Sequence, residues 1–245
     1  LETGASIAAQ TGVSQMTFSR FLRRLGFKGL MALKEELRSY RTNTLITPSD
    51  RYRWLVDGEL GAILKREVEA TLGLGRLIER PEWSRAIAAI SAADQVYVTG
   101  FQAVRGLAED TARCLSIVRG AVSFVSPHES ALSEWVSSVR RAPERRCLIL
   151  VDIAAYTRQS KSVLKIAKTL GFELVVITDE TNAWATKMTP LVFHVATKTG
   201  GFIESCGPMA TLLNLLVHAV AQVEPDEPKR RMENWLPVIR DLDIF

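Results

Sequence analysis

The spacing of apolar positions changes character along this chain. Over residues 13–27 it has helical pitch, with Phe18, Phe21, Leu22 and Leu25 at i, i+3, i+4 and i+7, a stripe that calls for a core. Just before it, "ASIAAQTGV" offers Ile7, Ala8 and Ala9 for close packing, Gly12 for a left-handed turn and Ser14 as a helix cap. The polar "RTNTLITPSD" (41–50) ends this pattern and reads as a linker. A long helical stretch is predicted at about 59–79, and another from Pro81 to Ser91 with proline in its first turn. Beyond Ser91, short β-branched runs alternate with helical ones. The runs are "QVYVT" (95–99), "AVSFV" (121–125), "CLILVD" (147–152), "ELVVIT" (173–178) and "LVFHV" (191–195). Helices are predicted between them at 103–118, 128–139 and 157–170, with a brief piece near 183–187. Continuous apolar strands alternating with helices imply a parallel sheet covered on both faces.

A short helix, a glycine turn and a second amphipathic helix make a helix-turn-helix, whose second helix enters the major groove of DNA. Ser14, Gln15, Met16, Thr17, Ser19, Arg20, Arg23, Arg24 and Lys28 are the candidate DNA-binding residues. Gln15 can pair bidentately with adenine and Arg20 with guanine. Arg23 and Arg24 lie further along and suit phosphates. A solvated basic helix face is the competing reading of the same residues. Charge weighs against it. Residues 1–53 hold nine Lys/Arg against four Asp/Glu, a net +5, while the whole chain carries only +4. The positive excess lies in the first fifth of the chain, where a polyanionic partner such as operator DNA fits.

Composition bounds the rest. The 245 residues, 47% hydrophobic and 24% charged, suit two globular domains. No apolar run reaches the ~18 residues of a membrane span, so no membrane partner is expected. Cys114, Cys147 and Cys206 are scattered and odd in number, which argues against a disulfide framework and fits a reducing cytoplasm. His128, His194 and His218 do not cluster. No metal or other cofactor is expected.

The segment "SIAAQTGVSQMTFSRFLRRLGFKGLMALKEELR" resembles the N-terminal DNA-binding domain of the RpiR family of bacterial transcriptional regulators. Ile7, Ala8, Gly12, Val13, Ser14, Thr17, Arg20, Phe21, Arg23, Leu25, Gly26, Phe27, Gly29, Leu33 and Lys34 match that family's pattern or nearly so, and Leu30 replaces a more usual aromatic. The resemblance implies an all-α helix-turn-helix domain at 1–40, incomplete at its N-terminus, and a linker at 41–58. The order of strands and helices in 59–245 is similar to the SIS domain that follows in such regulators. It implies an α/β fold, a three-layer αβα sandwich with a five-stranded parallel sheet, that binds an effector and forms a homodimer or homotetramer. The tail "RRMENWLPVIRDLDIF" resembles that family's C-terminal helix.

Ligands of such sheets bind beyond the carboxyl ends of the strands. SIS domains usually hold a phosphosugar there on two hydroxyl-bearing loops resembling G-x-G-x-S and S-x-S-G-x-T. This chain departs from both. Gly100 is kept, but Gln102 and Val104 replace the second glycine and the serine, with Ala103 between them. Asp152, Ala154 and Ala155 stand for Ser, Ser and Gly, and Thr157 survives. Arg105 and Arg158 follow the altered loops and could each present a planar fork to an anion. Glu204, read as opening the last long helix, completes the candidate effector site. "SPHES" (126–130) after the second strand reads as a capping box. The expected function is a DNA-binding transcriptional regulator, not an enzyme, that senses an anionic metabolite, a phosphosugar or sugar acid. A regulator whose SIS domain only dimerises is the alternative, with a sugar-phosphate isomerase using Glu204 as base a more distant one.

Overall fold

The computed structural model describes residues 3–33, 48–126, 132–133, 135, 145–153 and 159–241. The chain divides into two compact units, Leu1–Arg53 and Trp54–Phe245.

In the first unit, α1 (Gly4–Gln10) and α2 (Gln15–Arg24) are separated by a tight turn. Thr3 caps α1 by accepting from the Ser6 N–H at 3.2 Å, and Ser14 caps α2 by accepting from the Thr17 N–H at 3.1 Å. Gly12 is left-handed (φ +69), its N–H donating to the Ala9 carbonyl and that of Val13 to Ala8. Gly26 (φ +88) closes α2 in the same way, through Gly26 to Arg23 and Phe27 to Leu22. Both are Schellman caps, and they set the direction of the chain on leaving each helix. The predicted stripe on α2 is only partly covered. Leu22 is buried and Phe18 half-buried, whereas Phe21 and Leu25 are exposed at 55% and 54%. A further helix, α3 (Pro48–Asp57), occupies part of the stretch read as a linker and crosses the boundary between the units.

The second unit opens with α4 (Leu60–Leu72), the single turn α5 (Gly75–Ile78) and α6 (Pro81–Ala92). Five parallel strands follow: β1 (Gln95–Gly100), β2 (Val122–Phe124), β3 (Arg146–Asp152), β4 (Glu173–Asp179) and β5 (Val192–Val195), in the order β2-β1-β3-β4-β5. The helices between and after them are α7 (Arg105–Val118), α8 (Gln159–Thr169), α9 (Gly207–Val223) and α10 (Asp226–Asp241). Val98 pairs with Phe124 on one side and Ile149 on the other, and Ile149 with Val175.

Alternation along the strands divides the core into two layers. Val96, Val98, Ile149, Val151 and Val175 face α6, α7 and α9. Tyr97, Leu148, Leu150, Leu174 and Val176 face α8 and an aromatic group of Trp135 and Phe172. With apolar partners on both faces, the strands read as unbroken hydrophobic runs. This is the expected SIS-type αβα sandwich. The segment 128–139 read as a helix lies almost wholly outside the described residues; 132–133 and 135 are 3-10 turns. The piece near 183–187 is also 3-10 (Ala185–Lys187). Among the described residues no helix is long and apolar enough to cross a membrane.

Candidate effector site and nucleic-acid face

Strand order reverses between β1 and β3, so a crevice opens beyond their carboxyl ends. Gly100 and Asp152 end these strands, and Gly100 pairs with Val151. Gly100 is fixed by packing. A Cβ there would lie 2.7 Å from the Ala108 Cβ and 3.1 Å from the carbonyl oxygens of Val104 and Val151. Backbone cannot retreat as a flexible side chain can. Gly100→Ala is therefore expected to cost about 1–3 kcal/mol of stability, read as a lower denaturant midpoint at unchanged slope.

After Gly100 the chain makes a 3-10 turn, Gln102–Val104, that feeds directly into α7. Gln102 takes φ +45. The position where SIS domains usually have a second glycine thus keeps a glycine-like conformation without glycine, at a cost of ~1–2 kcal/mol. The turn exposes Gln102 and Ala103 and buries Val104, which is 1% exposed. Val104 belongs to the core layer with Ala108 and Val98. Arg105 is half-buried at the start of α7. Its guanidinium donates to Ser126 Oγ at 3.4 Å and lies over the Phe124 ring, 5.4 Å from the centroid. It therefore joins the end of β1 to the end of β2. Thr99, fully buried, completes that junction by donating to the Val125 carbonyl at 2.7 Å.

Asp152 is fully buried, and Ser160 Oγ of α8 donates to its Oδ1 at 2.7 Å. The carboxylate ties β3 to α8 and does not face solvent in the crevice. Ala154, Thr157 and Arg158 lie outside the described residues, as do 127–130 of "SPHES". Glu204 is placed one turn earlier than expected. The helix begins at Gly207, and Glu204 is buried in the connection from β5, where the next residue's N–H donates to the Thr197 carbonyl at 2.8 Å.

A second polar cluster lies beyond β4 and β5. Glu180 accepts from the Thr197 N–H (2.9 Å) and hydroxyl (3.1 Å) and from the Lys198 N–H. Asn182 donates to Thr178 Oγ1 at 3.0 Å and accepts from the Trp184 and Ala185 N–H groups. These bonds hold loops in place.

The thiols offer no nucleophile. Burial pushes Cys147 up to about 12 and also raises Cys114 and Cys206, so the thiolate is scarce near neutral pH. Among the described residues no three His, Cys, Asp or Glu gather as a metal site.

In the first unit, Gln15, Met16, Thr17, Ser19, Arg20, Arg23, Arg24 and Lys28 are all exposed. Ser14 is engaged as the cap, and its hydroxyl also contacts that of Thr17 at 2.8 Å. Arg23 and Arg24 occupy the last turn of α2, where they also oppose the negative end of its dipole.

Comparison with known proteins agrees with this architecture. The SIS domain matches residues 89–219. The sugar isomerase domain of an RpiR transcription factor from Sphaerobacter thermophilus superposes with TM-score 0.60 at 21% identity, over 75% of this chain and 97% of that one. The Vibrio vulnificus NanR protein, solved with ManNAc-6P, gives 0.61 at 18% identity over 98% of this chain and 86% of NanR. A Methanococcus jannaschii protein, whose structure was taken to infer a 3-hexulose-6-phosphate isomerase, gives 0.50 at 17% identity over 69% and 96%. No curated protein matches the sequence. At these identities the likeness is one of fold.

Proposed function

This chain belongs to the SIS domain family, and from that premise we propose that it is an RpiR-type transcriptional regulator, reading operator DNA with α2 and sensing an anionic metabolite beyond β1 and β3. One observation carries the reading: a doubly capped helix pair with an exposed polar and basic face shares a chain with an SIS fold. A sugar-phosphate isomerase has no use for the first. NanR, similar over nearly the whole chain, was solved with a phosphosugar, which supports a phosphosugar or sugar acid as ligand here. The anion is taken by the Arg105 guanidinium and the N-terminal amides of α7, with Gln102, Ala103 and Ser126 beside them. Thr157 and Arg158 belong to the same proposed site.

A second reading has its own observation. Val104 and Asp152, at two positions where hydroxyls usually hold phosphate, are both turned inward. That favours a domain that only dimerises.

Two assays on the full chain separate these. Selection from random duplexes should enrich a pseudo-palindrome, since one helix-turn-helix reads only half a site; no enrichment would sink the regulator. A thermal-shift screen of sugar phosphates and sugar acids should reveal a stabilising ligand, worth about 2.7 kcal/mol at a hundredfold its Kd. Silence across the screen selects the dimerisation-only reading, and turnover of ketose or aldose phosphates selects the enzyme.

A further inference from the structure

Helix α10 packs against the second half of α7, and a cleft of about 560 Å³ lies between them. Small-molecule sites span roughly 300–1,000 Å³. Arg231, Trp235 and Val238 fall at i, i+4 and i+7 on one face of α10, and Arg113 and Ile117 at i and i+4 on α7. Ile117, Met232, Trp235 and Val238 make an apolar bed, with Trp235 48% exposed. Arg113 and Arg231 stand beside it, and no Asp or Glu lines the cleft among the described residues. Arg231 is held in place where its Nη2 donates to the Ser116 carbonyl at 2.7 Å. Its charge is poorly answered. Glu227 lies 4.0 Å from its Nη1 and pairs with Arg230 instead, and the Arg231 Nε is buried with no partner among the described residues. Arg113 gives its Nε and Nη2 to Asp110 at 3.0 and 2.7 Å, an exposed pair that leaves Nη1 for a ligand.

We propose that this cleft is a second ligand site, built for a flat aromatic carboxylate. The ring stacks on the half-exposed Trp235, and the flexible Met232 thioether closes on its edge. The carboxylate is taken by the guanidinium groups of Arg231 and Arg113. Charge selects the sign of the ligand, because the lining holds two cations and no acid. The apolar bed selects its body, because the hydroxyls of a sugar would be desolvated there with few partners. Size selects a small molecule over a protein, whose interface takes roughly 20–30 residues a side. The cleft is also separate from the crevice beyond β1 and β3. Ser116 lies eleven residues along α7 from Arg105, ~16 Å of helix.

This inference goes beyond the regulator reading and does not require DNA binding, so it is tested on the full chain without DNA, with 2-naphthoate as the probe. Calorimetry should show one saturable site with a Kd of roughly 10–500 μM. Trp235→Ala, at a half-exposed position, should weaken binding at least ~10-fold with the melting temperature unchanged. Arg231→Gln should weaken it by about 10-fold. Because Arg231 also ties α10 to α7, Arg113→Gln provides the second measurement, a loss of roughly 5-fold at an exposed position. The uncharged 2-naphthamide, of nearly the same shape, should bind at least ~10-fold more weakly than the acid. Arg105→Ala should bind 2-naphthoate like wild type. No saturation below about 5 mM, or unchanged affinity in Trp235→Ala, overturns the site. Equal affinity for 2-naphthamide overturns the anionic class of ligand. Binding lost in Arg105→Ala and kept in Trp235→Ala places the probe in the crevice, which overturns this site and leaves the regulator reading standing.

Discussion

Arg20→Ala and Gln15→Ala are each expected to weaken binding of the full chain to its operator by about 1–3 kcal/mol and to relax base preference at one position. Both side chains leave the exposed face of α2, Gln15 from its first residue and Arg20 from its middle. The two Schellman caps and the Ser14 cap fix the angle at which that face is presented. Neither residue supports the fold from its exposed position, so the loss should appear in affinity without a change in melting temperature. Arg23→Ala and Arg24→Ala should behave differently. Removing an arginine that neutralises a phosphate weakens binding to all sequences alike, and each such removal should flatten the slope of log K against log salt by about 0.9. Anisotropy titrations at several salt concentrations, on operator and scrambled duplexes, separate the two classes. Four variants that bind the operator like wild type would show that α2 is not the reader.

Legibility in the sequence follows how local each determinant is. All five strands are readable because a sheet covered on both faces needs unbroken apolar runs, and "CLILVD" and "ELVVIT" are such runs. The helix caps are readable because Ser14, Gly12 and the residues they bond lie within five positions of one another. The direction of side chains at the crevice is not. Val104 and Arg105 are neighbours, yet one is core and the other half-buried, because successive residues of a helical turn point about 100° apart and the phase is set by where the 3-10 turn Gln102–Val104 begins. Asp152 meets a hydroxyl eight residues on, which no strand pattern announces. Glu204 falls one turn short of the helix because a helix beginning "GPMATLL" puts proline in its first turn, and that turn starts three residues after the glutamate. Leu60, Leu64, Val68 and Leu72 of α4 are exposed yet have the same spacing as a buried stripe, so only packing tells them apart.

The effector site yields the second large effect. Arg105→Ala should reduce affinity for the anionic ligand by about 1.5–3 kcal/mol, roughly 10- to 150-fold, since a charge-assisted bond is lost where helix amides alone must hold the anion. Arg158→Ala should cost a similar amount if both forks grip the charged group. The apparent repair of the site, Val104→Ser, should fail. By pattern it restores the serine of a phosphate loop. By structure it removes apolar volume from a side chain 1% exposed within the core and buries a hydroxyl among Val98 and Ala108. A loss of about 2–3 kcal/mol of folding stability is expected, and no gain in affinity. Calorimetry for the ligand and denaturant titration for the fold measure the two quantities independently. A stable Val104→Ser variant that binds the anion more tightly would mean that this turn faces the crevice, and that the anion rests on the usual serine loop instead of on Arg105.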